Sequence, residues 1–190
     1  MQQKAFMTTK TLAYCALLTA LSVVLARLFG LMPEESSRYS IEAVPIFLSG
    51  VLFGPIAGAM VGFSADFIGC LFSPFGYNPI FCIPPILYGV FGGVFRRFLG
   101  KKTSLMRLTI SFLPPVVLGS VLYQSFTLAY VYYYATFWEG LILKLSTRSI
   151  QFAIVLVADV LILWLLFKAN IFTRLGVWPP KAKKKNEVTQ

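Results

Sequence analysis

Apolar residues fall in long runs separated by clusters of charge or of Pro and Gly, and the runs have the length a bilayer demands. A hydrocarbon core of about 30 Å takes roughly 20 residues as helix. Six such windows are predicted. The first runs from Phe6 to Phe29, and the second and third share Ala43 to Ser73. The fourth spans Ile80 to Leu99, the fifth Leu108 to Tyr134 and the sixth Ile150 to Phe172. The stretch shared by the second and third barely holds two spans. Gly54-Pro55 divides it, and because Pro lacks an N–H and clashes with the preceding turn, two short or tilted helices are expected there, with one re-entrant hairpin as the alternative. Pro pairs, Pro84-Pro85 and Pro114-Pro115, stand inside the fourth and fifth windows.

Composition fits this pattern. Of 190 residues 57% are hydrophobic and 13% charged, with mean hydropathy +0.76, against about 25% charged in a soluble domain. An ordinary cytosolic enzyme is excluded, and 18 Phe, 9 Tyr and 3 Trp exclude a disordered chain. The expected fold is an all-α integral membrane protein, a bundle of six transmembrane helices. Residues 1–175 form its single domain and 176–190 a basic tail. The first window is longer than a signal core and lacks a small-residue cleavage site, so it reads as a retained helix. With the N-terminus inside, 13 of the 17 basic residues fall on the cytoplasmic side, and Arg27, Arg38, Lys144 and Arg148 outside. The positive-inside bias thus places both termini in the cytoplasm. The net charge of +10 then needs no nucleic acid, and the KAKKK tail reads as a topology anchor near anionic lipid. Cys15, Cys70 and Cys82, an odd set in apolar runs, read as packing residues rather than a disulfide framework or zinc site. The lack of His removes the commonest general base and metal ligand.

Charges at membrane depth cost on the order of 3 kcal/mol each, so they normally face a cavity or a partner. Arg38 and Glu42 are one helical turn apart at the start of the second span, with Ser40 between them. Arg148 and Gln151 share one face at the start of the sixth. Two guanidinium groups at the outer ends of these helices suit carboxylates, which Arg binds bidentately. The alternative is interfacial salt bridges, Arg38 with Glu42 and Arg148 with Glu139. Gln124 is a lone amide in the fifth span, able to bind a heterocycle or to bridge helices. Asp66 and Asp159 lie mid-span without a basic or His partner at helical spacing, and are assigned to packing or capping. The rigid Pro- and Gly-containing loop Ser73 to Phe81 offers Tyr77 and Asn78 for ligand contact. Tyr132, Tyr133, Tyr134, Phe137 and Trp138 are assigned to an interfacial belt. Ala16 and Ala20 form AxxxA, and Gly54, Gly58 and Gly62 two GxxxG steps, spacings that let helices approach closely. No phosphate-binding loop, HExxH, GxSxG or loop-borne carboxylate pair is present, so no catalytic residue, cofactor or metal is expected. The whole suggests a capture subunit without an engine.

At this point the chain resembles the substrate-binding S components of energy-coupling factor (ECF) vitamin transporters. The block from Arg38 to Phe81, RYSIEAVPIFLSGVLFGPIAGAMVGFSADFIGCLFSPFGYNPIF, is similar to the folate-type branch. It differs where Gly76 to Cys82 replaces a phenylalanine-rich segment, and where Val157-Ala158-Asp159 stands for Pro-Ile-Glu. The resemblance implies a multi-pass protein of the bacterial cell membrane that binds a folate-like vitamin. Arg38 and Arg148 would hold the anionic tail, Tyr77, Asn78, Gln124 and Gln151 the ring, and the loop from Gly30 to Ser37 would serve as a lid. It also implies docking through Ala16 and Ala20 onto a T subunit driven by two ATPases. Competing readings are an S component for another vitamin or precursor, and a self-sufficient solute or ion channel using Asp66 and Asp159. An integral-membrane enzyme is the weakest of the alternatives.

Overall fold

The computed structural model describes residues 8–28, 31–34, 37–39, 41–72, 77–101, 103–133 and 136–178; of residues 28, 31–34, 37–39 and 101 it describes the backbone alone. Helix α1 covers Thr9–Leu28, and a small antiparallel hairpin follows, β1 (Leu31–Glu34) paired with β2 (Ser37–Tyr39). Helices α2 (Ala43–Phe53), α3 (Pro55–Leu71), α4 (Ile83–Val94, entered through a 3₁₀ turn Pro79–Cys82) and α5 (Arg96–Lys101) come next. A long rod then runs as α6 (Leu105–Pro115), a π-helical stretch (Val116–Tyr123) and α7 (Gln124–Tyr132), before α8 (Phe137–Lys168) and the short α9 (Ile171–Arg174). Among the described residues the hairpin is the one departure from the all-α expectation, and its strands fall largely within the stretch from Gly30 to Ser37 expected as a lid.

Three pieces are long and apolar enough to cross a membrane: Thr9–Arg27, Leu105–Tyr132 and Phe137–Lys168. Three more are apolar but shorter, Ala43–Phe53, Pro55–Leu71 and Pro79–Val94. The α2–α3 boundary falls at the predicted break. Gly54 adopts φ 105°, a conformation that disfavours any side chain, and Pro55 opens α3 at its first turn, where the missing N–H costs nothing. With 11 residues, α2 is only about 17 Å long, too short for the hydrocarbon. It is accordingly sheathed by protein, buried at every position from Ala43 to Leu52.

The sixth window requires a correction. Its helix starts at Phe137, not near Ile150, so Lys144 and Arg148 sit well inside a 32-residue helix rather than in an outer loop. Glu139 gives this helix an acidic first turn and Lys168 a basic last turn, both favourable to the helix dipole.

Helices α2, α3 and α4 pack most closely on one another; α1 lies against α2 and α3, and α8 against α6, α7 and the π stretch. Glycines make the close packing possible. A Cβ at Gly50 or Gly58 would collide with the Gly89 carbonyl, one at Gly62 with that of Pro85, and one at Gly92 with that of Phe47. Of the predicted GxxxG steps, Gly58 and Gly62 therefore serve packing, while Gly54 serves the break. In lipid such contact, with no hydrophobic force behind it, is what holds helices together. Phe47, fully buried, meets Phe112 edge-on at 4.8 Å between centroids, and Tyr88 packs on Phe112 at 5.3 Å, linking α2 and α4 to α6.

Gly89→Ala is expected to destabilise by about 1–3 kcal/mol through overpacking. Gly119→Ala, whose Cβ would sit 3.4 Å from its nearest neighbours, is expected to leave stability unchanged. Melting curves of the two variants in detergent check the contrast.

Candidate functional site

Helix α8 turns its polar residues inward. Lys144, Arg148, Gln151, Val155 and Asp159 recur at helical spacing, so they share one face, and they are buried, Gln151 at 2% and Asp159 at 1% exposure. Ile150, Ile154 and Val157 on the other side are 58–65% exposed. A helix in water shows the reverse arrangement; here the surroundings are lipid and the interior holds the polar groups.

These side chains border a cavity of about 540 Å³, within the range of about 300–1,000 Å³ common for small-molecule sites. Its wall includes Ser22 and Arg27 from α1, Glu42 at the foot of α2, and Asp66 and Cys70 from α3. Asn78, Tyr88, Ser120 and Gln124 follow from the middle of the chain, and Lys144, Arg148 and Asp159 from α8. The wall thus carries three cations, Arg27, Lys144 and Arg148, and three acids, Glu42, Asp66 and Asp159.

Arg148 is held firmly. Its Nε donates to the Ser120 carbonyl at 3.1 Å and its guanidinium lies over the Phe152 ring, 5.1 Å from the centroid. The acceptor belongs to the π stretch, directly after Pro114 and Pro115, and π turns of this kind are frequent at functional sites. The Ser120 hydroxyl in turn shares a 2.8 Å hydrogen bond with Tyr88 Oη, tying α4 to the same point. Arg27 reaches across to donate from Nη2 to the Gly69 carbonyl. Ser22 Oγ donates to the Glu42 carbonyl at 2.9 Å, and Lys144 Nζ sits 5.7 Å from the centre of the Tyr133 ring. The wall is therefore positioned by bonds among α1, α3, α4, α8, the π stretch and the residue ahead of α2, and its cations suit an anionic ligand.

Glu42, Asn78, Gln124 and Arg148, expected to bind ligand, line one cavity. Asn78 also accepts a hydrogen bond from the Ile80 amide at 3.1 Å, fixing the turn that leads into α4. Gln151 is buried on the same face of α8 but lies outside the lining set. Tyr77 is 38% exposed, packs edge-on against Phe67 at 5.2 Å and is not among the lining residues. The backbone of Arg38 lies in β2, which packs against α8; its side chain, and Ser40, lie outside the described residues. Ala16 and Ala20 are both exposed on α1. Nine positions of one helix place two residues on opposite faces, so a salt bridge between Arg148 and Glu139, both in α8, is ruled out. Sequence reasoning assigned Arg27 and Lys144 to topology, Tyr132 and Tyr133 to an aromatic belt, and Asp66 and Asp159 to packing or capping; all six border the cavity. The spacing 144, 148, 151, 155, 159 carried the signal for α8.

A helical membrane protein with a buried, mixed-charge cavity of ligand size belongs to the class of membrane solute-binding and transport proteins. Within that class, the profile of the family described as ECF-type riboflavin transporter, S component, matches residues 6–168, and the chain belongs to this family. It is a transporter component, not an enzyme. The folate transporter FolT of Clostridium novyi (strain NT) is 30% identical over 99 residues, which cover 52% of this chain and 56% of that protein. An uncharacterized protein of Mycoplasma pneumoniae (strain ATCC 29342 / M129 / Subtype 1), the MG098 homolog, is 34% identical over 62 residues, 33% of this chain and 13% of that one. The matched stretches thus span about half or less of these curated relatives. The crystal structure of FolT bound with folic acid superposes with TM-score 0.64 at 27% identity, covering 80% of this chain and 91% of that one. The chain is accordingly an S component similar to the folate-type branch.

Tyr88→Phe removes one buried hydrogen bond to Ser120 and is expected to lower stability by about 0.5–1.5 kcal/mol without unfolding the protein. Thermal denaturation against the parent chain measures it.

Proposed function

We propose that this chain is the high-affinity capture subunit of an ECF-type importer and that its cargo is folate or a related pterin. The observation that carries the reading is the anchored Arg148 in a cavity with two further cations, within a chain similar over four-fifths of its length to a FolT that binds folic acid. Folate joins a flat, amide-like ring to a tail bearing two carboxylates. Arg148, with Arg38 from the hairpin that packs on α8, takes the tail; Asn78, Gln124 and Glu42 serve the ring, with Ser40, Tyr77 and Gln151 in support. The bundle spans the bacterial plasma membrane six times with both termini in the cytoplasm, and residues 1–175 act as one unit ahead of the basic tail. The pocket loads from outside. Release inside requires a T subunit and two ATPases, and the exposed Ala16–Ala20 strip of α1 is the docking face.

The family's description names riboflavin, which supports a second reading with a different vitamin. Riboflavin has no carboxylate, so Arg148 separates the two. For the folate reading, titration calorimetry of purified protein should show Arg148→Ala weakening folic acid by about 10- to 100-fold, the range for a lost charged hydrogen bond. Unchanged folate affinity, or riboflavin displacing folate at equal concentration, counts against it. Ala16→Trp with Ala20→Trp is expected to leave folate binding intact while abolishing uptake by the reconstituted complex, as radiolabel accumulation in vesicles would report.

A further inference from the structure

Asp159 is a buried acid that no hydrogen bond among the described residues accounts for. It lies mid-helix in α8, 1% exposed, on the cavity wall, and both carboxylate oxygens are buried without a hydrogen-bond partner among the described residues. Burying a carboxyl with nothing to bind is costly, and a residue placed solely for packing would be an Asn, Leu or Val. A carboxyl left without a partner at a cavity wall suits a ligand that brings two donors and so holds it ionised.

Resting on the folate reading, we infer that Asp159 is the residue that tells a pterin from a flavin. The 2-amino-4-oxopteridine ring presents N3–H and the 2-amino group side by side, a donor pair that matches the two oxygens of one carboxylate. A flavin, or a 2,4-dioxopteridine, presents N3–H between two carbonyls, so one carbonyl would face an Asp159 oxygen with no proton between them. Placement agrees. Asp159 is 11 residues beyond Arg148 on the same face of α8, about 16 Å along the axis between the two backbones, and the Arg148 guanidinium leans one turn toward it over Phe152, so one elongated ligand can run along this face between them. The ring edge meets Asp159 while the carboxylate tail meets Arg148.

The test uses ligands that differ at that edge alone. Folic acid, pterin-6-carboxylate and lumazine-6-carboxylate are titrated into the full chain in detergent. The parent chain is expected to prefer pterin-6-carboxylate over lumazine-6-carboxylate by about 100-fold or more. Asp159→Asn, which offers one donor and one acceptor, should reduce the preference to about tenfold or less by weakening the pterin and strengthening the lumazine. The parent comparison stands even if the variant fails to fold. Equal binding of the two pteridines by the parent, or an unchanged preference in folded Asp159→Asn, overturns the assignment while folic acid binding preserves the folate reading. A parent chain that binds neither folic acid nor pterin-6-carboxylate overturns both.

Discussion

Lipid cannot hydrate a charge, and the architecture follows from where α8 puts its charged side chains. On this helix Lys144, Arg148 and Asp159 are buried while Ile142, Ile150, Ile154, Val157 and Leu165 face outward. Each of those charges would be ruinous against acyl chains, so the rest of the bundle must close around them. The resulting interior is wet in chemistry though enclosed by apolar helices. The cavity is the space these groups border, and the π stretch, Tyr88 and Ser22 are the means by which neighbouring segments meet it.

The other side of the bundle follows a different rule. Helices α2, α3 and α4 carry little charge and touch through glycines so closely that backbone meets backbone. Such contact is rigid because no side chain is available to change rotamer. The protein therefore combines a tight, nearly featureless plate with a polar wall from α8 and α7. The cavity lies where the two meet, bordered by α8 on one side and by residues of α3 and α4 on the other.

Much of this could be read from the chain. The apolar windows located every membrane-length helix, and Gly54-Pro55 marked the α2–α3 break because a positive φ and a missing N–H cannot be carried inside a helix. Arg148, Glu42 and Gln124 were singled out because polar groups are costly in lipid, and Asn78 because Pro and Gly fix its loop; the four line one cavity. The start of α8 was missed. Hydropathy averaged over a window leaves Lys144 outside the span and Arg148 at its very start, although their spacing with Gln151 and Asp159 continues one helical face. Arg27 and Tyr88 were missed for another reason. Their roles depend on Gly69 and Ser120, 42 and 32 residues away in sequence, and no local pattern encodes such pairings. Asp66 and Asp159 were judged by the lack of a partner at helical spacing, whereas the cavity they border is assembled from α1, α3 and α8 together.

The π-helical turns between Val116 and Tyr123 also fix a counting rule. A π bulge amounts to an extra residue accommodated within an α-helix, and each residue of an α-helix advances the facing direction by about 100°. Everything beyond the bulge is set by that surplus: Gln124, Leu128 and Val131 reach the cavity wall because the surplus is there. A deletion of one residue in this stretch that let the rod relax to regular α geometry would swing all three away at once, while leaving hydropathy, length class and the Pro pair almost as before. Relatives that differ here by one residue would share the fold and yet present another set of side chains to whatever they carry.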